Sequence, residues 1–265
     1  MPLFTEQQAE IAVQQLATWG EQQGHDRDSL KRVEDCIRIT AGLMEDENKP
    51  KGQDPEFYFP GLEAGGWWDV NRFPWHKQLE KLTFIIKMEL NALLGGKAPF
   101  RQHPDSPVIA ENGIWKQFYL FSDGVALEEN CRAVPQTVRT IRSIPGATEA
   151  SNVFFSGVTP GAHIKPHCGP YNTRLRCHMG LIIPDGVSIR VGEETRTWQE
   201  GKCIVFDDSF EHEVWHKGST MRYVLILDIW HPDLTPTEIK ALKYIRALLM
   251  PNDSNIENLK KAPVV

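Results

Sequence analysis

The chain has 265 residues, of which 41% are apolar and 24% charged, and its 29 basic and 35 acidic residues give a net charge of −6. This composition is that of a globular protein with a sizeable core, and it excludes collagen-like, coiled-coil and wholly disordered chains. The acidic balance also argues against a nucleic-acid partner, because neutralising phosphates requires a surplus of Lys and Arg.

Targeting and redox signals are sparse. The sequence has no run of about 18 apolar residues, and its first ten residues are polar, so we expect no membrane span, no signal peptide and no membrane partner. The five cysteines are odd in number, widely spaced and form no CxxC pair, which is typical of a reducing compartment. These features predict a cytoplasmic protein.

The first hundred residues are predicted to be mainly helical. Apolar residues recur at intervals of three and four over 5–19, 28–44 and 77–94, and the Gly95-Gly96 pair resembles a helix stop. Residues 48–66 are rich in Pro, Gly and charge, which predicts an irregular segment.

From residue 113 the pattern changes to short β-branched and aromatic runs separated by turn residues, which favours an antiparallel sandwich or barrel. A short helix is expected near 135–142, and Thr235, Pro236 and Glu238 carry the signature of a capped helix start. The predicted strands are 114–121, 150–158, 174–183, 187–192, 195–198, 202–206, 212–216 and 221–230.

We therefore predict one domain over 1–265, without internal repeats. A mainly helical part, 1–112, packs on a β-domain, 113–232, and is followed by a C-terminal helix, 233–250, and a loose tail, 251–265.

Two predicted strands place cations on an inward face. Because strand side chains alternate, Arg174, Arg176 and His178 share one face, opposite apolar residues. A buried face with two guanidiniums requires anions, either protein carboxylates or those of a ligand; the alternative is a solvated edge strand. On the last strand, Arg222 and Asp228 share a face with apolar residues, so Arg222 is either a cation at the end of a pocket or a solvent-facing residue.

A metal site is a second candidate. Six of the nine histidines fall between 163 and 231. His167 and His212 lie 45 residues apart, but Gly169 stands where a facial triad of two His and one carboxylate would place its acid. Two imidazoles still bind Fe(II) if a bidentate ligand completes the coordination. The acids at 207, 208, 211 and 213 either orient an imidazole or belong to turns and surface.

Residues 115–235 resemble the aspartyl/asparaginyl β-hydroxylase family of Fe(II)- and 2-oxoglutarate-dependent oxygenases. Weaker similarity extends upstream over most of the chain. The resemblance is carried by PGAHIKPHCGP (160–170), RLRCHMGL (174–181), TRTW (195–198), FDDSFEHEVW (206–215) and DIWHP (228–232).

The resemblance implies a double-stranded β-helix, or jelly roll, that is mainly β with flanking helices. It implies that His167 and His212 ligate iron and that glycine is normal at 169. The implied 2-oxoglutarate residues are Ser156, Arg176, His178 and Arg222, and the implied substrate residues are Trp115 and Arg174.

The implied activity is hydroxylation of a C–H bond with Fe(II) as cofactor and 2-oxoglutarate and O₂ as cosubstrates. The expected substrate is an Asp- or Asn-type residue, an amino acid or a small peptide-like metabolite. Tetratricopeptide repeats, a membrane anchor and an arginine shortly before the tryptophan, which relatives carry, are missing from this sequence. The alternatives are a non-catalytic jelly-roll sensor of metal or dicarboxylate, and a structural jelly roll with surface histidines.

Overall fold

The computed structural model describes residues 3–96, 100–249, 259 and 262–265. The helices in this part of the chain are α1 (Glu6–Gln23), α2 (Lys31–Thr40), α3 (His76–Lys81), α4 (Thr83–Gly95), α5 (Ser106–Ile109), α6 (Glu128–Ala133), α7 (Pro135–Arg142) and α8 (Pro236–Leu249). Short 3₁₀ turns lie at Asp28–Leu30 and Val70–Arg72.

Thirteen strands in the described residues form two sheets. They are β1 (Trp67–Trp68), β2 (Arg101–Gln102), β3 (Ala110–Glu111), β4 (Trp115–Ser122), β5 (Val125–Ala126), β6 (Asn152–Val158), β7 (His163–His167), β8 (Arg174–Ile182), β9 (Val187–Val191), β10 (Glu194–Arg196), β11 (Cys203–Phe206), β12 (His212–His216) and β13 (Arg222–Trp230).

The strands from β6 onward have the jelly-roll arrangement. The larger sheet has the order β1-β11-β8-β13-β6-β4-β2, with β5 beside β4, and the smaller sheet has the order β10-β9-β12-β7-β3. All strand pairs described are antiparallel, and the chain crosses repeatedly from one sheet to the other. The predicted jelly roll with flanking helices is confirmed.

Alternation of residue type on β8 and β13 separates two cores. Leu175, Cys177, Leu225 and Leu227 point to the outer face of the larger sheet, where α4 and α7 cover them. The inner faces of both sheets form a second core, which includes Val224 and Ile226. The cations predicted to face inward therefore lie between the sheets.

The N-terminal helices α1 and α2 pack against α8 around a third cluster of apolar residues. Helix α8 begins with the predicted capping box, in which the Glu238 amide donates to Thr235 Oγ1 (3.2 Å) and the Thr235 amide donates to the Glu238 carboxylate (2.8 Å). Trp230, the last residue of β13, packs against this cluster, so the helices contact the jelly roll. Every helix in the described residues is too short or too polar to cross a bilayer.

Several predicted boundaries were wrong. The 28–44 helix ends at Thr40, and the 77–94 helix is two helices that break at Leu82. Gly96 is extended (φ −99°), so it does not provide the left-handed stop expected of a terminal glycine. Most of the predicted loose tail lies outside the described residues, but the Val265 amide donates to the carbonyl of Phe100 (2.9 Å).

Candidate active site

A pair of histidines lies at one end of the space between the sheets. His167 is the last residue of β7 and His212 is the first of β12, and the two are directly opposite each other in the antiparallel register. Their ring centroids are 4.1 Å apart, with the ring planes inclined at 50°. The sheet pairing thus brings together two residues that are 45 positions apart in the sequence.

Backbone carbonyls fix the tautomer of both rings. The Nδ1 of His167 lies 2.7 Å from the carbonyl of Lys165, and the Nδ1 of His212 lies 3.0 Å from the carbonyl of Phe210. Since a carbonyl only accepts, each Nδ1 carries the proton and each Nε2 keeps a free lone pair. Burial lowers the pKa of both imidazoles, which keeps them neutral. Neutral imidazoles oriented by carbonyls are typical metal ligands.

Gly169 is required by its surroundings. A Cβ at this position would lie 2.5 Å from the carboxyl carbon of Asp208, so any side chain would displace this buried acid from its contact with Arg176. Among the described residues, no group of three His, Cys, Asp or Glu side chains is arranged to hold a metal. The donor set therefore fits a metal ion that takes its remaining ligands from water or a bound molecule.

Arg222 lies deeper in the cavity and has no anionic partner in the described residues. It is 2% exposed, and its Nη1 has no hydrogen-bond partner. The guanidinium lies 4.7 Å from the ring centroid of Trp198. Burial lowers the pKa of Arg222 to about 9, because no carboxylate offsets its desolvation. An unpaired buried cation of this kind fits an anionic ligand.

Two further donors face the same cavity. The Trp198 indole N–H donates to Nδ1 of His178 (3.3 Å), so the His178 proton lies on Nε2, which is buried and unpartnered. The Trp115 indole N–H donates to Ser156 Oγ (2.9 Å), which leaves the Ser156 hydroxyl hydrogen free to donate. A carboxylate would satisfy both groups.

Arg176 lines the cavity too, but protein carboxylates already neutralise it. It lies 2.8 Å from Asp208 and makes two hydrogen bonds to Asp228 (2.8 and 3.1 Å). Although burial opposes it, these two acids raise the pKa of Arg176. Of the two sources of anions left open by the sequence, protein acids account for the charge of Arg176.

Arg174 is buried outside the cavity lining formed by the described residues. Its guanidinium donates to the Ser151 hydroxyl, lies 3.7 Å from both Asp208 and Asp228, and stacks over Tyr171 at 5.0 Å. The predicted substrate contact of Arg174 remains a prediction. The other seven predicted site residues line one cavity: Trp115, Ser156, His167, Arg176, His178, His212 and Arg222.

Sequence reasoning missed several contributors. It did not predict β7, the strand that ends in His167, and it left Asp208 equally open as a surface acid, although this residue is fully buried. Asp228 was placed on the correct face without a role. The signal available in the sequence was the alternation of side chains along β13. Asp228 lies two residues from another inward-facing residue, so it also faces the interior, where it pairs with Arg176.

Fold and site together define a jelly-roll protein with a histidine pair at one end of a cavity that is lined with unpaired donors. A family model described as aspartyl/asparaginyl beta-hydroxylase matches residues 80–232. The chain belongs to this family, as its sequence motifs predicted.

Curated proteins with similar sequences are also named as hydroxylases. The chain is 40% identical over 191 residues to human "Aspartyl/asparaginyl beta-hydroxylase", a match covering 70% of this chain and 25% of that protein. It is 39% identical over 176 residues to "Ornithine lipid ester-linked acyl 2-hydroxylase" from Rhizobium tropici, covering 64% of this chain and 62% of the relative. The match thus spans only part of each relative.

The similarity to solved structures is weaker. A prolyl-4-hydroxylase from Pseudomonas putida matches with a TM-score of 0.38 and 16% identity, covering 57% of this chain and 87% of that one. A cupin-like protein from Thermotoga maritima matches with a TM-score of 0.32 and 13% identity, covering 51% and 80% of the two chains.

Proposed function

We propose that this protein is an Fe(II)- and 2-oxoglutarate-dependent dioxygenase that hydroxylates a C–H bond. The observation that carries the proposal is the placement of two neutral imidazoles, His167 and His212, in the same cavity as the unpaired guanidinium of Arg222. One feature suits a metal ion and the other a carboxylate, and 2-oxoglutarate is a diacid that would bridge them. Membership of the aspartyl/asparaginyl β-hydroxylase family also supports a hydroxylase activity.

Different residues would bind the metal ion and the cosubstrate. His167 and His212 would hold the iron through Nε2, while Arg222 would take the distal carboxylate of 2-oxoglutarate. His178 and Ser156 would donate to the cosubstrate from the cavity wall. When bound, Fe(II) with O₂ and 2-oxoglutarate supplies the oxidising power that converts C–H to C–OH, with succinate and CO₂ as co-products.

The protein itself orients these groups and excludes water. Apart from its histidines, arginines and other polar residues, the cavity wall is apolar. Both sheets contribute to it, with Ile164, Ile189, Phe206, Val214 and Ile226. Because apolar surroundings lower the effective dielectric constant, the attraction between a guanidinium and a carboxylate is stronger in this cavity than in water. Arg176 stays paired with its two acids, so it adds little net charge beside the histidines.

For the substrate we propose an Asp- or Asn-type residue, an amino acid or a small peptide-like metabolite. The human relative is named for aspartyl and asparaginyl hydroxylation. The Rhizobium relative is named for a lipid acyl chain, so a panel of candidates has to include one. Trp115 and Arg174 are the residues we propose for substrate contact.

The test uses protein reconstituted anaerobically with Fe(II), then exposed to O₂ and 2-oxoglutarate with the substrate panel. We expect succinate release that one panel member stimulates, together with a mass increase of one oxygen in that compound. His167→Ala and His212→Ala abolish both signals and weaken metal binding. His163→Ala is the matched control, since this imidazole lies on the same strand but pairs with Glu213 (2.9 Å) and stacks on Trp215.

Two outcomes contradict parts of the proposal, and a third removes the support of the histidine variants. Tight binding of metal and 2-oxoglutarate without succinate release across the panel would favour the non-catalytic sensor. Unchanged metal affinity in both histidine variants would refute the metal site itself. An equal loss of turnover in His163→Ala would show that the assay reports general damage to β7.

A further inference from the structure

His103 lies immediately after β2, and its imidazole stacks face to face on the indole of Trp115. The ring centroids are 3.4 Å apart and the planes are inclined by only 6°. The backbone reinforces the stack, because the His103 amide donates to the carbonyl of Trp115 (2.8 Å). His103 is only 7% exposed, so a buried imidazole covers one face of the indole.

The imidazole is itself held on several sides. The Asp105 amide donates to its Nδ1 (3.2 Å), which places the proton on Nε2, and the ring of Phe154 lies at 5.9 Å. Burial lowers the pKa of His103, and the nearby Arg176 and His167 lower it further, so the ring is neutral. A neutral ring fixed at its edge keeps one orientation over the indole.

The N–H edge of the Trp115 indole lies at the cavity. The Trp115 N–H donates to Ser156 Oγ across the β4–β6 pairing, and Trp115 and Ser156 both line the cavity that contains the two histidines. Any tilt of the indole would move this N–H relative to Ser156. The direction in which the Ser156 hydroxyl donates therefore depends on the plane of Trp115.

We propose that His103 is a positioning residue for the cosubstrate: by fixing the plane of Trp115, it sets the Ser156 hydroxyl to donate to the bound diacid. The identity of that diacid as 2-oxoglutarate rests on the function proposed above. His103 itself does not touch the ligand. Its effect on binding passes through the indole and disappears when the Ser156 hydroxyl is removed.

The experiment is a double-mutant cycle on the binding of 2-oxoglutarate. The dissociation constant is measured calorimetrically on Mn(II)-loaded protein for the wild type, His103→Ala, Ser156→Ala and the double variant. The energy of an aromatic pair beyond its area, about 0.5–1.5 kcal/mol, limits what the stack can contribute to ligand binding, so we expect His103→Ala to weaken binding by about 2-fold and by no more than about 12-fold. In the Ser156→Ala background, we expect the same change to weaken binding by less than about 2-fold.

Two further variants separate positioning from general damage. His103→Phe keeps a flat ring over the indole and is expected to restore affinity to within about 2-fold of the wild type. His76→Ala removes another buried imidazole, at the start of α3, which is hydrogen-bonded to the carbonyl of Phe73 (2.8 Å). This variant is expected to leave the affinity unchanged.

The outcomes distinguish this inference from the proposed function. If the wild type binds 2-oxoglutarate, an unchanged dissociation constant in His103→Ala, or additive losses in the double variant, overturns the positioning role alone. Equal losses in His103→Ala and His76→Ala also overturn it, since they would indicate loosened packing. If the Mn(II)-loaded wild type does not bind 2-oxoglutarate, the proposed function fails and the positioning role fails with it.

Discussion

Replacing Arg222 by Met is expected to change stability and ligand binding in opposite directions. In the protein without ligand, this guanidinium is buried without a carboxylate partner in the described residues, and burial lowers its pKa to about 9. A methionine is shorter than an arginine, but it removes the charge and keeps an apolar, polarizable side chain beside Trp198. The substitution therefore relieves a desolvation cost that a bound diacid would otherwise offset.

The magnitudes follow from the geometry. Replacing a buried ion pair by apolar side chains is often neutral or stabilises a protein by about 1–4 kcal/mol, and the unpaired Arg222 has no attraction to a carboxylate to lose. For a chain of this size, each kcal/mol shifts Tm by about 2–4 °C. Loss of two charge-assisted hydrogen bonds to the diacid, each about 1.5–3 kcal/mol, weakens its binding by about 10²- to 10⁴-fold.

Thermal unfolding of Mn(II)-loaded protein, with and without 2-oxoglutarate, measures both effects. We expect Arg222→Met to have a higher Tm than the wild type without ligand, and to lose the Tm increase that 2-oxoglutarate gives the wild type. Arg190→Met is the control, because Arg190 pairs with Glu213 (2.5 Å) and Glu211 (2.8 Å), so its loss lowers Tm and leaves the ligand response intact. A lower ligand-free Tm in Arg222→Met, or an unchanged response to 2-oxoglutarate, would refute the reasoning.

Further substitutions test the surroundings of the site by chemical denaturation. Gly169→Ala is expected to destabilise by several kcal/mol, because the new Cβ meets the Asp208 carboxylate; a neutral effect would show that this acid moves freely. Asp228→Asn breaks a buried ion pair and is expected to cost about 3–5 kcal/mol, and a loss below 1 kcal/mol would contradict the pairing. Thr235→Ala removes a helix cap, with an expected loss of about 1 kcal/mol, whereas Thr237→Ala, at a half-buried position in the first turn of the same helix, is near neutral; equal losses would argue against capping.

Alternating residues made the larger sheet predictable. On β8, Leu175 and Cys177 pack into the outer core while Arg176 and His178 line the cavity, as the period of two requires. The same rule placed Arg222 on the inner face of β13. Wherever one face is apolar and the other polar, the sequence specifies which side chains meet in the interior.

The strand β7 was not predictable in this way. Its sequence HIKPH has a single buried apolar residue, Ile164, and a proline, which argues against a central strand. The structure explains why Pro166 is tolerated: the neighbouring β3 pairs only with Ile164 and His163, so the end of β7 is an edge on that side. From residue pattern alone, His167 and His212 were candidate metal ligands without a common strand pair, and the family resemblance then implied that both ligate iron.

The break within the predicted 77–94 helix also lacked a sequence signal. Neither glycine nor proline lies near Leu82, so the apolar spacing continues through it. In the structure, the Thr83 hydroxyl donates to the carbonyl of Glu80 (2.5 Å), a local bond that competes with the regular helix. Glu80 in turn bonds to the amide of Cys203 on β11 (3.0 Å), which anchors α3 to the larger sheet. Tertiary contacts of this kind decide such a boundary.

The charges between the sheets explain why metal and diacid would bind together. Two guanidiniums, Arg174 and Arg176, are offset by two carboxylates, Asp208 and Asp228, whereas Arg222 is left without an acid in the described residues. A divalent cation alone would add to this excess of positive charge, and a dicarboxylate would cancel most of the total. Each ligand therefore favours the other, and linkage requires the two effects on affinity to be equal. Because Arg222 contributes the unpaired charge that the diacid would pair with, its replacement by Met would leave less protein with the diacid bound, and so reduce the gain in metal affinity at a fixed diacid concentration.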